Sequence, residues 1–270
     1  MNTAIPAIAA AGANTVRLVL NNGTSPDFGY HKSTAENVRN ALAKCEENEL
    51  IAVLEVHDAT GKNDTASLVN ATNYWIEIKD ELIGKEDKVI INIANEWYAS
   101  TTNLSVWRNA YITAVTSLRN AGLEHVLMID AAGWGQYSQS IRDHGAAILN
   151  SDPLGNTMFS IHMYENSGGS SAAVMSNIDM VLGQGLALAI GEFGYYHNGY
   201  PVAYQTIMDY CEQKGVGWLA WSWKGNSGGV EYLDLALEWD GSVLSSNWGD
   251  KVVNGTNGLK DTSVRCSVFE

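Results

Sequence analysis

Apolar residues along this chain follow two alternating patterns, a helical spacing and a near-continuous run, and the two recur in a fixed order. Residues 3–11 carry apolar positions at helical spacing and stop at Gly12. Residues 14–20 then read as a strand and lead into a Gly/Ser/Pro loop. A helix over 33–48, opened by the capping pattern Ser33-Thr34-Ala35-Glu36, precedes a strand over 50–57. The alternation continues with helix 68–83 and strand 89–95, helix 104–121 and strand 125–129, and helix 138–149 and strand 157–162. Helix 172–183 and strand 186–191, then helix 202–214 and strand 216–221, complete it.

Strands alternating with helices predict an α/β fold, a parallel sheet wrapped by helices. A closed barrel fits better than an open sheet. No Gly-x-Gly-x-x-Gly follows a strand, and polar residues end nearly every strand instead of gathering at one switch point. An eight-stranded (β/α)8 TIM barrel needs one strand more than the seven found. Because the chain opens on a helix, the first strand is expected upstream of Met1. Residues 1–270 are then one catalytic barrel domain truncated at its N-terminus, since no linker, repeat or low-complexity segment marks a second domain.

Two of these runs end in a carboxylate: Glu96 after Val89-Ile90-Ile91-Asn92-Ile93-Ala94-Asn95, and Glu192 after Leu186-Ala187-Leu188-Ala189-Ile190-Gly191. A buried parallel strand reads as a continuous apolar run, so an ionisable residue at its end sits at the carboxyl edge where such folds bind ligands. If both strands belong to one barrel the two carboxyls converge. Such a pair is the equipment for cleaving glycosidic bonds.

Charge and composition narrow the substrate. Against 30 Asp+Glu the chain has only 16 Lys+Arg, a net charge of -14, which excludes a phosphate-binding surface and with it a nucleic-acid partner. Nine Trp and twelve Tyr beside four Phe suit sugars, whose CH faces pack on flat rings while the hydroxyls stay wet. Cys45, Cys211 and Cys266 show no metal-ligand spacing, so no metal or cofactor is expected. No apolar stretch is long enough to suggest a membrane span, and the first residues lack a signal-peptide pattern.

Strand parity picks out further candidates. Arg17 shares a side with Thr15 and Val19 and needs a buried acceptor, which Glu192 or its neighbourhood can supply. His57 ends the second strand as a hydrogen-bonding wall residue, and Asn95 beside Glu96 can meet a sugar hydroxyl. His162 and Tyr164 share a parity; a Tyr hydroxyl steadies an ionised carboxylate and a His influences the protonation of the acid. Trp221 and Trp223 share a parity with Leu219, and either indole can floor a pyranose ring. Each of these residues, taken alone, also fits a purely structural role.

Taken in order, Ala13-Asn14-Thr15-Val16-Arg17, Glu55-Val56-His57-Asp58-Ala59-Thr60-Gly61, Asn92-Ile93-Ala94-Asn95-Glu96-Trp97, Asp130-Ala131-Ala132-Gly133-Trp134-Gly135-Gln136, Ile190-Gly191-Glu192-Phe193-Gly194 and Trp221-Ser222-Trp223-Lys224-Gly225-Asn226 resemble glycoside hydrolase family 5, and within it the bacterial endo-β-1,4-mannanases. The resemblance implies Glu96 as acid/base and Glu192 as nucleophile of a retaining mechanism, after the fourth and seventh strands of the complete barrel. It places Arg17, His57, Asn95, His162, Tyr164 and Trp221 around the sugar. It further implies a secreted monomer acting on β-mannan, whose signal peptide is not part of this chain. An endo-β-1,4-glucanase on the same scaffold and a non-catalytic polysaccharide-binding barrel are the alternatives.

Overall fold

The computed structural model describes residues 2–25 and 31–270; part of the loop expected after the first strand therefore lies outside the described residues. The alternation holds throughout: α1 (Ala4–Ala10), β1 (Thr15–Leu20), α2 (Ala35–Glu47), β2 (Ile51–Val56), α3 (Thr65–Glu77), β3 (Val89–Asn92), α4 (Leu104–Asn120), β4 (Val126–Asp130), α5 (Ser138–Leu149), β5 (Thr157–Met163), α6 (Ser171–Leu182) and β6 (Leu188–Phe193). A small hairpin, β7 (Tyr196–His197) and β8 (Tyr200–Pro201), precedes α7 (Tyr204–Lys214) and β9 (Gly217–Trp218). Two short helices, α8 (Gly249–Asn254) and α9 (Leu259–Thr262), follow. Seven parallel strands pair in the order β1-β2-β3-β4-β5-β6-β9, curled into the barrel the alternation predicts. The ring is open between β1 and β9, where Thr15, Arg17 and Val19 on one side and Leu219, Trp221 and Trp223 on the other line a cleft of about 660 Å³.

Differences from the expected elements have local causes. The capping box of α2 is built on Thr34 and Asn37, which bond reciprocally, and not on Ser33 and Glu36. Helix α3 starts at Thr65, before its apolar run, because Asp64 accepts the Ser67 amide at 2.8 Å. The hairpin β7–β8 and helices α8 and α9 are too short to carry a periodic signal.

The inside of the barrel is stacked in two layers, as a side-chain period of two requires. Val53, Met128 and Ala189, with Ile90, Met158 and Leu219 against them, form an apolar plug separate from the main core. Two residues further along the same strands stand Glu55, Asn92, Asp130, Ser160 and Gly191, and after β9 Trp221. The intervening positions, Leu54, Ile91, Leu127, Ile129, Phe159, Ile161 and Ile190, pack outward under the helices in the main core. A polar layer thus rests on an apolar floor at the carboxyl ends of the strands. Burying it is tolerable only if its groups satisfy one another.

Candidate active site

Glu192 lies in β6, opposite His162 across the β5–β6 pair; a register shift that skips Gly191 turns Glu192 to the barrel mouth, where His162 already points at the parity of Ser160. Glu96 stands beyond the end of β3, since that strand stops at Asn92 and not at Asn95. Its backbone adopts a left-handed conformation, φ 44°, which costs a non-glycine residue about 1 kcal/mol or more and persists only where neighbours hold it. They do so on three sides. Asp130 Oδ2 accepts the Glu96 amide at 2.9 Å, the Gly61 amide donates to the Glu96 carbonyl at 3.2 Å, and Trp97 is fully buried, its indole donating to the Asp64 carbonyl at 2.9 Å.

The two carboxylates meet around His162. A carboxylate oxygen of Glu96, a His162 ring nitrogen and a carboxylate oxygen of Glu192 lie within 4.8 Å of one another. Arg17 Nη1 donates to Glu192 Oε1 at 2.8 Å, while its Nη2 reaches Asn92 Oδ1 at 2.9 Å and Asn95 Oδ1 at 2.6 Å. Tyr164 donates its hydroxyl to Glu192 Oε2 at 2.9 Å. Asn95 in turn donates to Thr60 Oγ1 at 2.9 Å, so its carbonyl stays turned toward Arg17. His162 Nδ1 is 2.8 Å from Glu96 Oε1 and 3.6 Å from Glu192 Oε2.

The electrostatics differ for each member. Burial drives the Glu96 carboxyl above its ordinary range, the Glu192 and Asp130 charges add to the rise, and His162 opposes it. The result favours a protonated Glu96. For His162, burial works against the charged ring, but Glu192, Asp130 and Glu96 outweigh it and hold the imidazole well above its usual range. Burial, with Glu192 and Glu96 beside it, keeps the Tyr164 hydroxyl protonated. Burial likewise opposes the charge on Arg17, yet Glu55 and Glu192 keep the guanidinium firmly ionised.

Trp221 and His57 form the other wall. Their rings stack with centroids 6.1 Å apart and 10° between planes, and the Arg17 guanidinium lies 6.0 Å from the Trp221 ring. His57 Nδ1 is 2.9 Å from the fully buried Glu55, which raises its affinity for a proton despite the cost of burial. The Trp221 indole donates to Asn226 at 2.9 Å. Asp58, next to His57, accepts the Asn22 and Ser25 amides and ties down the loop after β1.

Of the residues singled out in the sequence, the structure gathers Glu96, Glu192, Arg17, His57, Asn95, His162, Tyr164 and Trp221 at one mouth. Trp223 lines the open cleft beside Trp221, its indole donating to the Trp239 carbonyl at 3.1 Å and its ring abutting Gly241. The chain leaves regular strand geometry after Trp218, so a parity counted onward to Trp223 loses its meaning. Sequence reasoning passed over Glu55, Asn92 and Asp130. Their signal was present, a charged or amide side chain inside or closing an apolar strand at the parity of the polar layer.

The same carboxylate–imidazole group has the spacing to hold a cation, but Arg17 and Tyr164 already donate to Glu192, and Glu96 and His162 already bond to each other. The arrangement sets two carboxyl groups with different hydrogen-bond partners at one gap. Residues 1–227 match the family model described as Cellulase (glycosyl hydrolase family 5). The chain belongs to glycosyl hydrolase family 5. A mannan endo-1,4-beta-mannosidase of Salipaludibacillus agaradhaerens is 54% identical over 99% of this chain and 85% of its own length. A beta-mannanase/endoglucanase A of Caldicellulosiruptor saccharolyticus is 40% identical over 89% of this chain but only 18% of that much longer protein. Among solved structures, the mannohexaose complex of the Thermomonospora fusca beta-mannanase superposes with a TM-score of 0.91 at 40% identity, covering 100% of this chain and 89% of that one. In this family 5 member the open side of the barrel, between β1 and β9, adjoins the wall that carries Arg17, His57 and Trp221.

Proposed function

We infer that this chain hydrolyses internal β-1,4-mannosidic bonds of mannan, glucomannan or galactomannan by retaining double displacement. The observation that carries the reading is the asymmetry of the pair: Arg17 and Tyr164 both donate to Glu192, while the half-buried Glu96 beside His162 is pushed toward its protonated form, with carboxyl oxygens within 4.8 Å. Retaining enzymes hold their carboxyls about 5–5.5 Å apart, and inverting ones about 6.5–9.5 Å, to leave room for a water.

Glu96 gives its proton to the glycosidic oxygen as that bond breaks, and Glu192 attacks the anomeric carbon to form a glycosyl ester. Esterification removes the charge on Glu192, one of the charges that keeps the proton on Glu96. Glu96 then loses its proton more readily. As the base it takes a proton from water, which attacks the same carbon and releases Glu192 as a carboxylate. Trp221 and His57 offer the flat wall for a sugar ring. A mannan substrate accords with the names of the most similar relatives and with the bound mannohexaose of the T. fusca enzyme. Because a polymer of that size is met outside the cell, we assign the protein to the extracellular space, as a monomer.

Reducing-end release from mannan and from carboxymethylcellulose tests the reading, with the anomer of the first product followed by NMR. Rapid release from mannan with a β-anomeric product supports it; an α-anomeric product overturns the retaining mechanism. The double name of the Caldicellulosiruptor relative favours some glucanase activity as a second reading, and faster release from carboxymethylcellulose than from mannan would establish it. Mannan binding without release marks a non-catalytic barrel.

A further inference from the structure

We propose that Asp130 is a positioning residue for the acid/base, fixing the hydrogen on His162 Nε2 so that Nδ1 is left to share the catalytic proton with Glu96. The proposal rests on the assignment of Glu96 as the acid/base. Asp130 closes β4, is fully buried, and touches three parts of the machinery at once. Its Oδ2 accepts the Glu96 amide at 2.9 Å, its Oδ1 accepts from Asn92 Nδ2 at 3.1 Å, and His162 Nε2 lies 3.4 Å from Oδ2.

His162 is fully buried and has little freedom to turn. A Cβ on Gly135 would meet its ring at 2.7 Å, one on Gly191 would come within 3.1 Å of Nε2, and its backbone amide donates to the Gly135 carbonyl at 2.8 Å. Held this way, the ring presents Nε2 to Asp130 at 3.4 Å and Nδ1 to Glu96 at 2.8 Å, with Glu192 further from Nδ1 at 3.6 Å. The Asp130 contact is an ion-pair distance without hydrogen-bond alignment, as is common at catalytic hydrogen bonds before substrate closes the site. Two carboxylates cannot both face lone pairs. With a hydrogen on Nε2 facing Asp130, a single further proton lies between Nδ1 and Glu96, residing on either. That proton is the one the leaving group takes as the glycosidic bond breaks, and until then the imidazole, its Nδ1 2.8 Å from Glu96 Oε1, holds it at the acid.

The charges around Asp130 make it a dependable anion. Burial opposes its ionisation, but His162, Arg17 from β1 and the Glu96 amide outweigh that and hold the carboxyl down to about 2. Tyr111 from α4 faces it as a neutral hydroxyl, its own ionisation opposed by burial and by the Asp130 charge. Glu192 from β6 and Tyr164 lie on the far side of His162. The sign of the expected effect follows. Removing one negative charge lowers the affinity of the His162–Glu96 pair for its proton, so activity is lost at lower pH.

The test uses Asp130→Asn and Asp130→Glu, read by the pH dependence of kcat/KM on mannan and by the 15N resonances of His162. In the parent protein Nε2 should carry a hydrogen from pH 5 to pH 8. In Asp130→Asn the basic limb should move down by about one to three pH units, the span expected for losing a charge at this range. Asp130→Glu should keep the limb near its parent position even where kcat falls. A lowered kcat with an unmoved limb in Asp130→Asn overturns the proposal, and so does a parent His162 without a hydrogen on Nε2. The parent spectrum decides even if a variant fails to fold. A parent with no mannan hydrolysis counts against the assigned function, while the resonances still test Asp130.

Discussion

Replacing Glu96 by Gln separates proton donation from every other service this side chain performs. Gln has the same shape, and its amide oxygen can accept from His162 Nδ1 at the 2.8 Å where the carboxylate now sits, so the left-handed backbone and the Asp130 contact are unaffected. Only the transferable proton is lost. General acid–base catalysis contributes about 10²–10⁴-fold, which at about 1.4 kcal/mol per decade is roughly 3–5 kcal/mol of transition-state stabilisation. A fall of that size in kcat/KM on mannan is expected. An aryl mannoside with a dinitrophenolate leaving group needs no proton to depart, so its first step should be nearly unchanged, and the glycosyl enzyme should accumulate because its hydrolysis lacks a base. Stopped-flow release of the phenolate and intact-protein mass spectrometry report the two steps. The parent's activity should fall as pH rises through the raised pKa of Glu96, since the protonated form is the active one, and that basic limb should vanish in the variant. Mannan hydrolysis within about tenfold of the parent by a folded Glu96→Gln protein would refute the acid assignment.

Other substitutions probe the supports. Arg17→Met leaves Glu192 and Glu55 buried without their cation and should cost about 3–5 kcal/mol, a drop in Tm of roughly 6–20 °C by calorimetry; an unchanged Tm contradicts the network. Gly191→Ala places a Cβ 2.2 Å from Ser160 Oγ and beside His162 Nε2, so kcat should fall more than about tenfold for a stability loss of about 1–3 kcal/mol; an unaltered kcat excludes the close fit. Far from the site, Asp152 receives the Arg119 fork at 2.9 and 2.8 Å and the Leu154 and Asn156 amides. Burial opposes ionisation of Asp152, yet its bonds from Arg119, the Thr157 hydroxyl and the Leu154 amide hold its carboxyl down to about 2. Its stabilisation is therefore present above about pH 4 and lost as pH falls toward about 2. Asp152→Asn should destabilise the fold at pH 7 by urea titration, converge on the parent near pH 2, and leave kcat unaltered.

The order of elements and the parallel sheet follow from local patterning, and they were legible in the chain alone. A period of two along a strand that is apolar on both faces marks a charge where only packing should be, and Arg17 and His162 announced themselves in that way, while Glu192 announced itself as the carboxylate that ends an apolar run. Boundaries were less legible. Strand β3 stops three residues before its apolar run does, because the chain turns at Asn95 and Glu96 to meet Asp130 and Gly61, partners 34 and 35 residues away.

The tertiary structure alone decided which inward charges meet. That depends on the register between strands and on the shift between Ile161 and His162, neither of which a single strand encodes. It decided that Trp221 stacks on His57 while the Trp223 indole is tied to Trp239, and that Asp130 and Glu55, indistinguishable in sequence from structural ion-pair carboxylates, stand beside the gathered groups. Periodicity is a property of neighbours along the chain, whereas the proton affinity of Glu96 is set by burial and by charges from three other strands. The sequence by itself determined the fold and the two candidate carboxylates; only their convergence gave Glu96 the neighbours that raise its affinity for a proton.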